Sequence, residues 1–342
     1  MDFLRSKREL RRFYGKKAEI DTPIISLAPS SVKWRFGFLT LSFNFFTFRE
    51  RHIDTCPAAC YNKAIRKSKI KGDQQVEPTI FYLWENEPPR YIGGELPKLT
   101  YYPAKNKTAK GTVIIAPGGG YQVRAPHEGE DYALFLNKNG LDSFVLDYRV
   151  APNRFPTELL DARRAVRFVR ANAERFGISP DHIAIMGSSA GGHLAALLST
   201  YRDPIEGEGA DALDTVNPFP NAQILCYPVT DFRSHNNSYV SLLGDDAQEE
   251  GVRLAVTPTA LANEQTPPAF IWHTFADKAV YVGSSFDYAK RLRELNVPTE
   301  MHVYPFGSHG LGLANGPGYT APHVQSWSAL LVAWLRLFGY CE

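Results

Sequence analysis

Short apolar runs of strand length alternate with helical patterns along this chain, and no other feature constrains its fold as strongly. The runs lie at residues 112–116, 143–147, 182–186, 223–227, 269–273 and 300–304. Apolar residues at helical spacing follow several of them, most clearly from Thr157 to Phe176, after which Gly177 is typical of a helix end. Strands separated by helices form a mostly parallel sheet with both faces covered. The sequence therefore predicts an α/β fold whose chemistry lies at the carboxyl ends of the strands.

The sequence also predicts further helices and two insertions. Two further helices are predicted at 285–295 and 324–338, where apolar residues again recur at helical spacing. The helix that begins at Thr157 carries a second face of Arg163, Arg164, Arg167 and Arg170, which we expect to be solvated. Residues 203–221 and 231–265 interrupt the alternation, and either segment is placed where it could overhang a site as a lid.

The N-terminal part of the chain has a different composition. Residues 1–71 hold 16 Lys and Arg against 6 Asp and Glu, whereas the remainder holds 22 against 30. This basic arm contains no recognisable nucleic-acid-binding motif, so a solvated, poorly structured extension is the simpler interpretation. We predict an extension at 1–76 and one catalytic domain at 77–342.

Hydropathy and cysteine content bear on the compartment. No apolar run approaches the roughly 20 residues that span a bilayer, and no signal peptide is evident. Four cysteines in 342 residues do not suggest a disulfide framework, so we expect a cytoplasmic protein. Cys56 and Cys60 are interpreted as incidental thiols, because a zinc site needs more ligands than this pair. No metal and no cofactor is predicted.

The segment "IMGSSAGGHLAALL" at 185–198 holds the pattern G-x-S-x-G between a predicted strand and a helical pattern. In that context the pattern forms a strained turn that exposes its central serine above the sheet. Ser189 occupies the central position and is the predicted nucleophile. Ser188 falls on a variable position, and we expect it to pack beside the turn.

A serine hydroxyl needs a base to take its proton and a carboxylate to orient that base. In a fold of this kind, the acid and then the histidine follow the serine along the chain. His309 lies on a glycine-flanked loop just past the last predicted strand, whereas His302 and His273 fall inside strands. Asp277 follows the strand that ends at residue 273 and is the predicted acid. Asp231, after the preceding strand, stays open as an alternative.

The glycines of "IIAPGGGYQ" follow a strand directly, so backbone N–H groups there can turn toward a developing negative charge. We predict that Gly119, Gly120 and Ala190 donate to an oxyanion. A phosphate loop is excluded because no G-K-[ST] follows, and consecutive glycines do not fit a dinucleotide fingerprint. Tyr121 and His127 flank this loop as possible substrate contacts, with aromatic packing as the alternative for Tyr121.

Several of these motifs occur together in one known family. "PGGGY", "VLDYRVAP", "DARRAVRFVR", "IMGSSAGGHLAA", "YPVTD", "FADKAV" and "FGSHGLGLA" stand here in an order and spacing that resemble the acetylxylan and feruloyl esterase-like branch of the α/β-hydrolases. The resemblance covers roughly residues 77–340. Two details depart from the family pattern: Tyr281 follows Val280 where proline is usual, and Ser308 precedes the histidine where glycine is usual.

The resemblance implies a metal-free serine carboxylesterase that deacetylates short-chain esters such as acetylated xylan or related carbohydrates, with Ser189, Asp277 and His309 as its triad. Its expected partner is a small-molecule or carbohydrate ester, with no membrane span. Two alternatives remain at this point: an amide or peptide hydrolase on the same fold, and a catalytically silent protein that binds a ligand in its pocket.

Overall fold

The computed structural model describes residues 77–342 except Ala210. The predicted N-terminal extension, together with Cys56 and Cys60, lies outside these described residues. Within the described part of the chain, no helix is both long enough and apolar enough to cross a membrane.

The described strands form one eight-stranded sheet. Their bounds in chain order are β1 Thr79–Tyr82, β2 Lys98–Tyr102, β3 Thr112–Ala116, β4 Asp142–Asp147, β5 Ile183–Ser188, β6 Ala222–Cys226, β7 Ala269–Thr274 and β8 Thr299–Tyr304. Their spatial order is β1-β2-β4-β3-β5-β6-β7-β8. The pairs β1–β2 and β2–β4 are antiparallel, and the remaining neighbours are parallel. The carboxyl ends of β5, β7 and β8 therefore meet at one edge of the sheet.

Helices cover both faces of this sheet. Their bounds in chain order are α1 Glu130–Lys138, α2 Thr157–Ala171, α3 Ala173–Phe176, α4 Ser189–Thr200, α5 Asn236–Leu243, α6 Glu250–Leu254, α7 Pro258–Leu261, α8 Gly283–Glu294 and α9 Ser326–Leu337. Short 3-10 helices lie at Pro126–Glu128, Ala212–Thr215 and Gly244–Gln248.

Alternating side chains of the central strands divide the core into two layers. Ile114 and Ala116 of β3 join the layer that contains apolar residues of α2, α4 and α8. Val113 and Ile115 join the opposite layer, with residues of α1 and α9. Strands buried on both faces in this way explain why β3 to β7 were readable as continuous apolar runs.

The predicted α/β fold is confirmed, and the six predicted strands all occur with their ends shifted by no more than two residues. The sequence did not reveal β1 and β2. Strand β1 alternates between half-buried and exposed residues although Ile80, Phe81 and Tyr82 are all apolar, and the partly buried β2 contains Lys98 and Thr100, so neither is a core strand buried on both faces.

The prediction of a solvated arginine face on α2 was wrong. Arg163, Arg164 and Arg167 are each at most 6% exposed. Their guanidinium groups pair with acidic residues of the segment 203–221, namely Glu208, Asp211 and Asp214. This insertion therefore packs along α2 as the partner of its charged face, and it leaves the segment 231–265 as the candidate lid.

Candidate active site

Ser189 lies where β5 gives way to α4, on the strained turn that the G-x-S-x-G pattern predicts. Its φ is +53°, a left-handed conformation that non-glycine residues rarely adopt. A Cβ on Gly187 would lie 2.1 Å from the carbonyl oxygen of Gly191, and a Cβ on Gly191 would lie 2.1 Å from that of Ala116, so neither position has room for a side chain. The hydroxyl of Ser189 thus lies at the first residue of a helix, at the carboxyl edge of the sheet.

The structure brings Ser189, His309 and Asp277 together. The Oγ of Ser189 is 2.8 Å from Nε2 of His309, and Nδ1 of that imidazole is 2.7 Å from Oδ2 of Asp277. With Nδ1–H donating to the carboxylate, Nε2 is left to accept the serine proton. This is the arrangement that nucleophilic acyl transfer by a serine requires.

Asp277 is held by four donors. Its Oδ2 accepts from His309 and also from Nε2 of His273 at 3.2 Å, and its Oδ1 accepts the backbone N–H groups of Ala279 and Val280. Burial alone would raise the pKa of this carboxyl, but the hydrogen bonds from the two histidines hold it well below its usual range. The carboxylate therefore stays ionised beside the imidazole.

The contacts of His273, His302 and Asp231 bear on which residues serve as the base and the acid. His273 is a fully buried residue of β7, as expected, although its bond to Asp277 was not foreseen. His302 lies in β8 and pairs with Glu300. Asp231, the alternative acid, makes a two-point contact with Arg233, whereas the carboxylate bonded to His309 is that of Asp277.

The glycine-rich loop after β3 lies against the nucleophile, since a Cβ on Gly118 would be 3.0 Å from that of Ser189. Gly119 has φ +128°, a conformation that favours glycine. The N–H of Gly118 is occupied by the side chain of Glu128. Within the described residues, the N–H groups of Gly119 and Gly120 donate to no acceptor. Both donors are therefore free in a loop whose first glycine lies against the nucleophile.

Tyr121 is fully buried, and its hydroxyl is 2.6 Å from Nδ1 of His193. This burial corrects the prediction that Tyr121 contacts substrate, in favour of the packing alternative. The Nε2 of His193 in turn lies 2.8 Å from the carbonyl oxygen of Val256, so its N–H donates there and Nδ1 accepts from the phenol. The pair ties the glycine loop to the segment 231–265.

Burial lowers the pKa of His193 to about 4, from an ordinary value of 6.5. Between these two pH values the unfolded chain binds a proton that the folded chain does not, so the free energy of unfolding falls as the pH is lowered. We expect a loss on the order of 3 kcal/mol from this group between pH 7 and pH 4. Urea unfolding of wild type and His193→Gln across this range measures it: the variant should show the shallower pH dependence, and equal slopes would refute the assignment.

Two more histidines border the triad. His127 bonds the carbonyl oxygen of Gly310 through Nε2 at 2.9 Å and stacks on Tyr319 at 4.2 Å, so it lies against the loop of His309. His235 precedes α5 and caps its start, where its Nδ1 accepts the N–H of Ser238. Burial, and then repulsion from His309, lower the pKa of His235. The carbonyl oxygen of Ser234 accepts the N–H of Tyr281, so the start of the segment 231–265 lies beside the loop of Asp277, a proximity that no local sequence signal indicated.

A cavity of about 430 Å³ opens beside the segment that follows the glycine loop, and no triad residue is among those that line it. It is lined by residues 92–95, 122–124 and 149–153. Its wall includes the amide of Gln122 and the paired side chains of Arg124 and Glu95. In the described part of the chain, no three His, Cys, Asp or Glu side chains are grouped as metal ligands would be.

Comparison with known proteins identifies one matching family model and several similar proteins. A family model described as BD-FAE matches residues 100–292. Endo-1,4-beta-xylanase B of Butyrivibrio fibrisolvens is 33% identical over 243 residues, which are 68% of this chain and 38% of that protein. Acetylxylan esterase of Xylanibacter ruminicola is 32% identical over 207 residues, 58% of this chain and 41% of that protein. The chain thus spans about two fifths of the length of these two curated relatives.

Solved structures resemble the chain over nearly their whole length. The acetyl ester-xyloside bifunctional hydrolase from Caldicellulosiruptor lactoaceticus is 36% identical with a TM-score of 0.72, covering 77% of this chain and 97% of that one. MGS-M1, an α/β hydrolase enzyme from a deep-sea metagenome library, is 31% identical with a TM-score of 0.57, covering 76% and 97%.

Proposed function

Because the chain belongs to the BD-FAE family of α/β-hydrolases, we propose that it is a serine carboxylesterase that removes short acyl groups, acetyl above all, from hydroxylated substrates such as acetylated xylan. The observation that carries this proposal is the continuous path from Ser189 through His309 to Asp277, with both hydrogen bonds shorter than 3 Å.

In the first half of the reaction, Ser189 Oγ attacks the ester carbonyl carbon while its proton passes to Nε2 of His309. The Asp277 carboxylate stabilises the imidazolium that forms. The carbonyl oxygen becomes an oxyanion, and the N–H groups of Gly119, Gly120 and Ala190 are the proposed donors to it. When the tetrahedral intermediate collapses, the alcohol leaves with the proton from His309 and an acyl group remains on the serine.

In the second half, a water molecule gives one proton to His309 and attacks the acyl carbon. The same backbone donors receive the second oxyanion. Collapse of this intermediate breaks the bond to Ser189 Oγ, which recovers the proton from His309, and the carboxylic acid departs. The side chains therefore end the cycle in their starting protonation states.

The names of relatives support the substrate class. Relatives whose names refer to acetyl ester or acetylxylan hydrolysis are 36% and 32% identical to this chain.

A substrate panel tests this proposal. We expect kcat/KM to be highest for p-nitrophenyl acetate, to fall by at least tenfold at the octanoate, and acetate to be released from acetylated xylan. An arylformamide and a short peptide belong in the same panel, because a serine triad also serves amide hydrolysis. If either amide is cleaved faster than the acetyl esters, the protein is an amide or peptide hydrolase and the proposal of a carboxylesterase is wrong.

A further inference from the structure

One buried carboxylate is bonded to the loop that carries the proposed oxyanion donors. Glu128, at the end of the 3-10 helix Pro126–Glu128, is 3% exposed. Its Oε2 accepts the N–H of Gly118 at 2.8 Å. A Cβ on Gly118 would lie 2.6 Å from that oxygen and 2.7 Å from the carbonyl oxygen of Ser188, so glycine allows this close approach. The carboxylate thus fixes the start of the glycine loop.

The other oxygen of Glu128 leads to the loop of His309. Oε1 accepts the hydroxyl proton of Tyr227 at 2.6 Å, and the same hydroxyl oxygen accepts the N–H of Gly312 at 2.9 Å. The ring of Tyr227 packs edge-on against the imidazole of His309, with centroids 5.0 Å apart. One phenol therefore contacts both the base and the backbone that carries it.

The state of Tyr227 is consistent with a fixed link. Burial and the neighbouring Glu128 carboxylate raise its pKa well above the ordinary value, so the hydroxyl stays protonated and keeps donating. Its φ of +38° is rare for a bulky residue and persists only where the surroundings hold it. The conformation is held from several sides, since its backbone N–H also donates to Trp272 at 2.7 Å.

Electrostatics indicates what Glu128 does not do. A negative charge this close to Ser189 repels an oxyanion formed there, so direct stabilisation of the transition state is not its role. What the carboxylate provides is geometry: it occupies the N–H of Gly118, leaves those of Gly119 and Gly120 free, and connects this loop to Gly312 through one hydroxyl group.

We propose that Glu128 is a positioning residue that acts through Tyr227 to hold the glycine loop and the His309 loop at a fixed spacing. At this spacing, the oxyanion donors and the base can both act on the same ester group. The inference rests on the proposed esterase function. Misplacement by about 1 Å is enough to cost up to a hundredfold in rate.

Tyr227→Phe tests the link with Tyr288→Phe as its matched control. Tyr288 is also fully buried, and its hydroxyl donates to Gln223 at 3.0 Å on the α8 side of the sheet. For Tyr227→Phe we expect kcat on p-nitrophenyl acetate to fall on the order of tenfold to a hundredfold with little change in KM. Tyr288→Phe should keep kcat within about twofold, although it also loses a buried hydrogen bond.

Rates are expressed per active site titrated with a fluorophosphonate, so that unfolded material does not count. A merely structural role would lower the number of titratable sites and leave kcat per site unchanged. Wild-type kcat per site in Tyr227→Phe, or an equal loss in Tyr288→Phe, overturns the inference. Because the wild type would still hydrolyse the ester, either result leaves the proposed function intact.

Substitutions of Glu128 separate its geometry from its charge. In Glu128→Gln the amide oxygen can accept from Gly118 while the amide nitrogen donates to Tyr227, so we expect most of kcat to remain. Glu128→Ala should lose as much as Tyr227→Phe or more. The double variant Glu128→Ala/Tyr227→Phe should be no worse than Glu128→Ala alone, since both changes cut one link. Losses that multiply would show two independent roles and contradict the proposal.

Discussion

Replacing Ser189 by alanine should abolish ester hydrolysis, lowering kcat by about 10⁴ to 10⁶ while the fold survives. The change removes the only atom of the proposed triad that forms a bond to the substrate. The fold is expected to persist because the turn already holds a non-glycine residue at φ +53°, and alanine adopts that conformation no less readily than serine. The measurement is the hydrolysis of p-nitrophenyl acetate, together with circular dichroism of the variant.

Ser188→Ala is the matched control for this prediction. Ser188 lies one residue earlier, at the end of β5, and its Oγ is bonded to the hydroxyl of Tyr132 rather than to His309. We expect this variant to be at least a hundredfold more active than Ser189→Ala. An equal loss in both variants would mean that the turn, and not the hydroxyl of residue 189, limits the reaction.

The second large effect is expected from Asp277→Asn, which should lower kcat by about 10³ to 10⁴. The Oδ1 position of this side chain accepts two backbone N–H groups, those of Ala279 and Val280, which can only donate. An asparagine must therefore place its oxygen there and turn its NH₂ group toward His309. The imidazole can then only accept at Nδ1, so the proton of the neutral ring moves to Nε2. A protonated Nε2 can no longer take the proton of Ser189.

Asp231→Asn is the control, because Asp231 is the other carboxylate that the sequence offered as the acid. Its contacts are with Arg233, whose side chain is 72% exposed, so neutralising it should leave kcat within about twofold. Kinetics of the two variants on one substrate make the comparison. A larger loss from Asp231→Asn than from Asp277→Asn would reassign the acid.

Much of this architecture could be predicted because its signals are local. A central strand buried on both faces has to be a continuous apolar run, and β3 at Thr112–Ala116 was located to the residue. The turn at Ser189 needs glycine at positions 187 and 191 for steric reasons. The pattern of glycines around the serine can therefore be recognised in the sequence of any chain that contains such a turn. His309 was found because few histidines follow a strand end on a glycine-flanked loop.

What could not be predicted depends on partners distant in sequence. The arginine face of α2 has the composition of a solvated surface, and only the fold shows that Arg164 meets Asp211, 47 residues away. Glu128 and Tyr227 are 99 residues apart, and neither stands in a pattern typical of a catalytic group. The pairing of His193 with Tyr121, 72 residues away, could not be predicted either, because the sequence around a lone histidine in an apolar helix does not indicate its hydrogen-bond partner.

The central claim is that Ser189 is the activated nucleophile, and covalent labelling tests it most directly. Intact-mass measurement after brief exposure of the full chain to a fluorophosphonate should show one added group per molecule, which peptide mass spectrometry locates at Ser189, and none on Ser189→Ala. An unlabelled wild type, or a label on the alanine variant of the same mass and stoichiometry, would contradict the account.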